Sequence, residues 1–140
     1  MMRFLSLLLL LVPAAMAAKY DGMFFLKEGV DEHGNPVPIP GPKPFVLVLR
    51  SESPTHYAFS LRLGNSLRTN MVVTPGEDGA DDSVRVKDVM STMMMPPEKI
   101  FRVEQFLTNS LPKMEKVHFE DNDQTLIFAG GEARIEFTRE

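Results

Sequence analysis

The hydrophobic period of the chain changes at residues 96–112, which read PPEKIFRVEQFLTNSLP. Apolar residues recur there at helical spacing, with polar residues on the opposite side. The apolar positions are Ile100, Val103, Phe106, Leu107 and Leu111, and the polar ones are Arg102, Gln105, Thr108 and Asn109. Two prolines and Glu98 are typical of a helix start, and Pro112 marks the end. The sequence predicts one amphipathic helix of about three to four turns.

Runs typical of strands surround this helix: 45–49 is continuously apolar, 20–27 is rich in aromatic residues, and runs such as 57–63 alternate apolar and polar residues. We predict strands at 20–27, 45–49, 57–63, 67–74 and 83–90 before it, and at 114–119, 124–129 and 132–138 after it. Period two is the pattern of a strand with one buried face. The five prolines evenly spaced in 29–44 predict an extended surface connector. Because the helix must bury its apolar stripe, we expect an α+β domain whose antiparallel strands curve round it.

The N-terminus has the three parts of a secretory signal. Arg3 precedes the apolar run 4–12, and Pro13 and small residues up to Ala18 follow. A membrane anchor needs about 20 apolar residues, so no transmembrane segment is predicted. Cleavage after Ala17 or Ala18 divides the chain into a signal peptide (1–17), a first strand with the proline-rich connector (18–44) and the main domain (45–140). We expect a secreted protein, or a periplasmic one if the source is bacterial.

Composition excludes several classes of function. The net charge is −4, which argues against a nucleic-acid binder, and the absence of cysteine excludes disulfides and thiolate chemistry. His33, His56 and His118 lack metal-ligand spacing, and no GxSxG motif accompanies them. His118 is expected to face solvent, and the acidic loop 77–82 lacks the calcium pattern and is expected to be a solvated turn. We predict no catalytic residue, no metal site and no cofactor; a hydrolase stays open as an alternative and would need a histidine, a carboxylate and a serine hydroxyl within hydrogen-bond reach in one pocket.

The unusual local feature is STMMMP, residues 91–96, directly before the helix. Methionine is flexible and polarizable, so such a cluster suits irregular core gaps or an adaptable binding surface. Three interpretations stay open: core packing at the helix entry, a groove for an apolar ligand or partner, and copper(I) binding through thioethers.

The order of these segments resembles the META domain, a family that groups bacterial HslJ-like heat-shock proteins with the META proteins of kinetoplastid parasites. The matching stretches are FSLRLGN (59–65), VMSTMMMP (89–96), EQFLTNSL (104–111) and residues 126–137. The motif residues are Gly64, Asn65, Ser91, Thr92, Met93, Met94, Met95 and Pro96. Bacterial members often carry cysteine where this chain has Asn65 and Met95, so the pattern is closer to the kinetoplastid branch.

The resemblance implies a fold and a range of functions. It implies an antiparallel, partly open β-barrel-like sheet of about seven to eight strands packed on the helix, without catalysis. It associates the chain with secretion, stress response or host interaction and virulence, through a protein partner that the sequence does not name. The alternative is a carrier that holds a small apolar ligand or lipid between helix and sheet. Its predicted groove is lined by Phe59, Leu61, Met94, Val103 and Phe106. A cavity of about 300 Å³ or more there would favour the carrier.

Overall fold

The computed structural model describes residues 19–41, 45–92 and 94–139. The predicted signal peptide, Pro42, Pro44 and Met93 lie outside these residues. The described chain contains nine strands, one α-helix and one 3-10 turn. The strands are β1 (Gly22–Val30), β2 (Val46–Ser51), β3 (His56–Arg62), β4 (Ser66–Thr74), β5 (Asp82–Val86), β6 (Met90–Ser91), β7 (Lys116–Glu120), β8 (Thr125–Gly130) and β9 (Ala133–Arg139). The helix α1 spans Glu98–Ser110, and the 3-10 turn Leu111–Lys113 follows it.

The described strands form one antiparallel sheet in the order β3-β2-β1-β9-β8-β7-β5-β4-β6. Because β3 also pairs with β4, eight of these strands close into a ring and β6 adds to β4. The β5–β7 contact is short, with two residue pairs, Asp82 with Val117 and Ser83 with Lys116. The predicted class, α+β with an antiparallel sheet, is confirmed. Since β1 lies between β2 and β9, residues 18–44 contribute to the same sheet as residues 45–140.

The predicted strand 83–90 is divided into β5 and β6, which was not foreseen. Met71 pairs with Val86, whereas Arg68 pairs with Met90, so the β5–β6 side has one more residue than β4 between these pairs. The Thr69 hydroxyl donates to the Lys87 carbonyl at 2.8 Å and takes up part of the interrupted ladder. This is a β-bulge, and it raises the predicted seven to eight strands to nine.

The apolar stripe of α1 is buried at one end of the sheet. Val103, Phe106 and Leu107 belong to the same buried cluster as the inward-facing residues of the strands. A Cβ atom placed on Gly29, near the end of β1, would lie 2.5 Å from Cε2 of Phe106. A Cβ atom on Gly64, in the β3–β4 turn, would lie 2.6 Å from Cβ of Pro96. These approaches place α1 across the strand ends, where it completes the core.

The first part of the predicted proline-rich connector folds back on β1. Val30 forms an isolated bridge with Pro36, and the Val37 amide donates to the Gly29 carbonyl at 2.8 Å. Val37 and Ile39 are half-buried against the core. The expectation of a purely extended surface connector is therefore wrong for residues 30–39, because its apolar residues find partners on β1.

Candidate functional site

A buried polar network joins the β3–β4 turn to the helix. Asn65 and Glu104 are only 4% and 7% exposed. The Asn65 backbone amide donates to Oε2 of Glu104 at 2.8 Å, and its side-chain Nδ2 donates to Oε1 at 2.7 Å. Each carboxylate oxygen therefore accepts a hydrogen bond in a site from which water is largely excluded. Such charge-assisted bonds are stronger than neutral ones, so this pair fixes the turn to α1.

The same asparagine holds the segment before the helix. Its Oδ1 accepts from the Thr92 hydroxyl at 2.8 Å and from the Met94 amide at 2.9 Å. Its Nδ2 also donates to the Met94 carbonyl at 3.0 Å. With the close approach of Gly64 to Pro96, the structure brings together five of the eight residues that carry the sequence resemblance. The Ser91 hydroxyl donates to the Thr92 carbonyl at 3.0 Å, and Ser91 pairs with Leu67 of β4.

The methionines around this network face solvent. Met90, Met94 and Met95 are 75%, 60% and 91% exposed; we call these three residues the methionine edge. Core packing is therefore wrong for Met94 and Met95, because Asn65 holds the backbone of the segment on the outside of the helix. Met94 and Met95 border a cavity of about 440 Å³ that the outer side of α1 also lines, through Phe101, Gln105 and Thr108.

The predicted apolar groove does not form as one surface. Phe59, Leu61 and Val103 are at most 1% exposed and Phe106 is 8% exposed, all within the core cluster. Met94 lies outside this cluster. The Phe59 ring packs edge-on against Phe128, with ring centroids 6.3 Å apart. Four of the five residues therefore pack the interior, and the fifth belongs to the methionine edge.

The histidines do not assemble a complete catalytic triad among the described residues. The His56 Nδ1 lies 3.0 Å from the Ser53 hydroxyl and 2.9 Å from that of Thr55, but no carboxylate contacts this imidazole in the described chain. His118 lies beside carboxylates instead, with its Nε2 at 2.9 Å from Glu120 and its Nδ1 at 3.4 Å from Asp81. Its side chain is partly covered rather than fully solvated. In the part of the chain described, no group of three or more His, Asp or Glu is placed to hold a metal ion.

A second buried cluster lies at the end of the sheet opposite to α1. Asp82 is 8% exposed and accepts from the Tyr20 hydroxyl, from Lys19 Nζ at 2.8 Å and from the Gly76 amide at 2.9 Å. The prediction of a solvated acidic turn is wrong for Asp82, because it begins β5 and points inward. Burial and the hydrogen bond to Asp82 raise the pKa of the Tyr20 hydroxyl above its ordinary value. Burial opposes ionisation of Asp82, but its three donors outweigh that effect and lower the pKa of its carboxyl.

Sequence reasoning missed Glu104, although a signal was present. Glu104 follows Ile100 by four residues and precedes Leu107 by three, so it falls on the apolar side of the helix. A carboxylate in such a position needs a buried partner. Lys19 and Asp82 gave no comparable signal, because 63 residues separate them in sequence.

The fold and the site define a mostly β domain in which a buried Asn65–Glu104 pair holds an exposed segment. Comparison with solved structures finds a similar fold in the NMR structure of a protein from Burkholderia xenovorans, with a TM-score of 0.61 and 15% sequence identity over 91% of this chain and 88% of that one. At this identity the similarity concerns the fold alone. No protein-family model and no curated protein matches the chain. Among the described helical residues, no helix is long and apolar enough to span a membrane.

Proposed function

We propose that this chain is an exported, non-enzymatic META-like domain that acts by binding another protein, in secretion, stress response or host interaction. The observation that carries the proposal is the methionine edge. Met94 and Met95 are exposed while the residues around them are held by the buried Asn65–Glu104 pair. Exposed methionines on a fixed backbone suit an adaptable apolar contact.

The kinship with META domains is supported by where the motif residues meet. Gly64 and Asn65 belong to one quoted stretch, and Thr92, Met94 and Pro96 belong to another. They contact one another through hydrogen bonds and close packing. The proposal includes the finer description of the sheet as partly open and barrel-like, for which the two-pair β5–β7 contact is the support.

Photo-crosslinking at methionine tests the protein-binding role. The chain is expressed in its source cells with photo-methionine, irradiated, and compared with the variant Met90→Gln/Met94→Gln/Met95→Gln. The variant Met23→Gln is the matched control, because Met23 is 55% exposed on β1. We expect one partner adduct that the triple variant loses and the control keeps. An adduct that persists in the triple variant would refute a contact at the methionine edge.

Native mass spectrometry of the exported protein separates this proposal from the carrier alternative. We expect the mass of a chain that begins at Ala18 or Lys19, with no bound apolar molecule. A stoichiometric lipid-sized addition would instead support the carrier. A mass that still includes residues 1–17 would refute export with cleavage.

A further inference from the structure

The outer face of strands β2 to β5 carries an uncompensated positive charge. Five exposed cations lie on this face or at its edge: Arg50, Arg62, Arg68, Arg85 and Lys87. None of them forms an ion pair with any residue that the structure describes. We call these five residues the basic face.

Strands β2, β3 and β4 contain no aspartate or glutamate, and the one acid of β5, Asp82, points inward. Two exposed acids border the face: Glu52, just after β2, and Asp88, next to Lys87. On the other side of the ring, charges are mixed and paired, as in Lys27 with Glu136. The chain has 15 cations and 19 acids. Five of these cations lie on the basic face, which two acids border, so ten cations and seventeen acids lie elsewhere in the sequence and the charge is segregated.

The basic face is also concave and partly apolar. A cavity of about 510 Å³ is lined by Val48, Ala58, Met90 and the two arginines Arg50 and Arg68. Arg50 pairs with Ala58, which pairs with Asn70, and Arg68 lies two residues before Asn70 on β4. The Cα atoms of Arg50 and Arg68 are therefore about 12 Å apart, since two strand spacings separate them across the sheet and two residues separate them along the strands.

We propose that the basic face binds an acidic, extended segment of a partner protein. In an extended chain, residues four apart are separated by about 13 Å, so carboxylates at positions i and i+4 match Arg50 and Arg68. Apolar side chains of the same segment would meet Val48 and Met90 between them. Nucleic acid is disfavoured because the rest of the chain is negative. The cavity spans β2, β3 and β4 and is recessed, which suits a single extended chain better than a flat membrane surface.

This inference rests on the proposed function and states the chemistry of the partner. Met90 belongs to the methionine edge and also lines this cavity, so the two surfaces share one residue. A partner that contacts the methionines with apolar residues and the basic face with carboxylates would use both. The methionine crosslinks test the first contact, and charge reversal tests the second.

The test measures fluorescence anisotropy of a labelled 12-residue peptide, Glu-Ser-Val-Ser repeated three times, with the exported protein in low salt; when extended, this peptide presents Glu at i and i+4 and Val at i+2 on one face. We expect saturable binding that weakens with added salt, and no binding of the peptide in which Lys replaces Glu. The variant Arg50→Glu/Arg68→Glu should weaken Kd at least tenfold. The control Lys99→Glu/Arg134→Glu, with the same change of net charge on α1 and β9, should leave Kd within twofold.

Three outcomes would overturn the proposal. The first is no saturable binding of the Glu and Val peptide, and the second is equal weakening by the two double variants. In the third, the protein sediments with phosphatidylserine vesicles, Arg50→Glu/Arg68→Glu abolishes this sedimentation, and the peptide does not bind. That result would assign the basic face to a membrane. If photo-crosslinks at the methionine edge survive any of these results, the proposed function stands and only the acidic partner is lost.

Discussion

Replacing Asn65 by alanine should destabilise the domain far more than its position in a surface turn suggests. The substitution removes four side-chain hydrogen bonds, one to Glu104, one to Thr92 and two to the Met94 backbone. The largest part of the cost comes from Glu104, whose Oε1 loses its partner while the residue stays buried. A charge-assisted bond of this kind contributes about 1.5–3 kcal/mol, and neutral bonds contribute about 0.5–1.5 kcal/mol each. Because Thr92 and Met94 are exposed, water replaces much of the rest.

We therefore expect Asn65→Ala to lower the free energy of unfolding by about 3–4 kcal/mol. At this chain length, that corresponds to a fall in Tm of roughly 10–15 °C. Urea denaturation followed by circular dichroism measures the change, and Asn109→Ala, on the exposed side of α1, is the matched control. Hydrogen exchange at residues 92 to 95 should also become faster. A loss within 1 kcal/mol of the control would refute the network.

The variant Asn65→Asp tests the same buried pair through the direction in which stability changes with pH. It would place a second carboxylate within hydrogen-bond distance of Glu104, where two buried negative charges cannot coexist without cost. One of the two groups must take up a proton on folding. The stability of Asn65→Asp should therefore increase as the pH falls from 7 towards 5. A profile that is flat or falls over this range would contradict the buried pair.

Two further predictions concern the ends of the sheet. Phe106→Ala should lower the free energy of unfolding by about 3–5 kcal/mol because it leaves a cavity between α1 and the core. Gly29→Ala should destabilise the wild type because the added Cβ clashes with the Phe106 ring. The same substitution should cost less in the Phe106→Ala background, and a double-mutant cycle in denaturant measures the difference. An unchanged Tm for Phe106→Ala would contradict the position of α1. The lowered pKa of Asp82 predicts stability that is present above about pH 4 and lost as the pH falls through the pKa of the folded state. Asp82→Asn should therefore cost about 1–3 kcal/mol at pH 7 and show a weaker acid transition in denaturant titrations between pH 2 and 7. The pKa of Tyr20 is raised, so its hydroxyl stabilises the folded state at neutral pH, and this stabilisation should be lost progressively as the pH rises above about 10. An acid transition of Asp82→Asn equal to that of the wild type would refute the cluster.

Local patterns in the sequence were enough to predict the secondary structure. The helix was found because its apolar residues follow a 3.6 period between prolines. Most strands were found from period two, and the strand at 45–49 from its continuous apolar run. The bulge that separates β5 from β6 was missed although the alternation breaks there, since Val84 and Val86 point inward, Asp88 is exposed at the next inward position and Val89 packs against the core instead. The sequence does not show that Thr69, on another strand, bonds the Lys87 carbonyl.

The candidate site was predicted less well because its contacts are long-range. The sequence singled out the segment 91–96, but exposure of the methionines depends on Asn65, which is 29 residues before Met94. Asn65 in turn depends on Glu104, which is 39 residues further on. No periodicity encodes such pairs. The buried cluster of Tyr20 and Asp82 was missed for the same reason.

Some of these residues hold the segment 91–96 in place, and others are exposed on its surface. The two groups call for different interpretations of mutants. Asn65, Thr92 and Glu104 act through hydrogen bonds, so their loss changes stability and the position of the methionines together. Met94 and Met95 contact little of the domain, since they are 60% and 91% exposed. Loss of partner binding in an Asn65 variant would not identify a binding residue. Loss of partner binding in Met94→Gln or Met95→Gln at unchanged Tm would identify one, because only the exposed surface has then been altered.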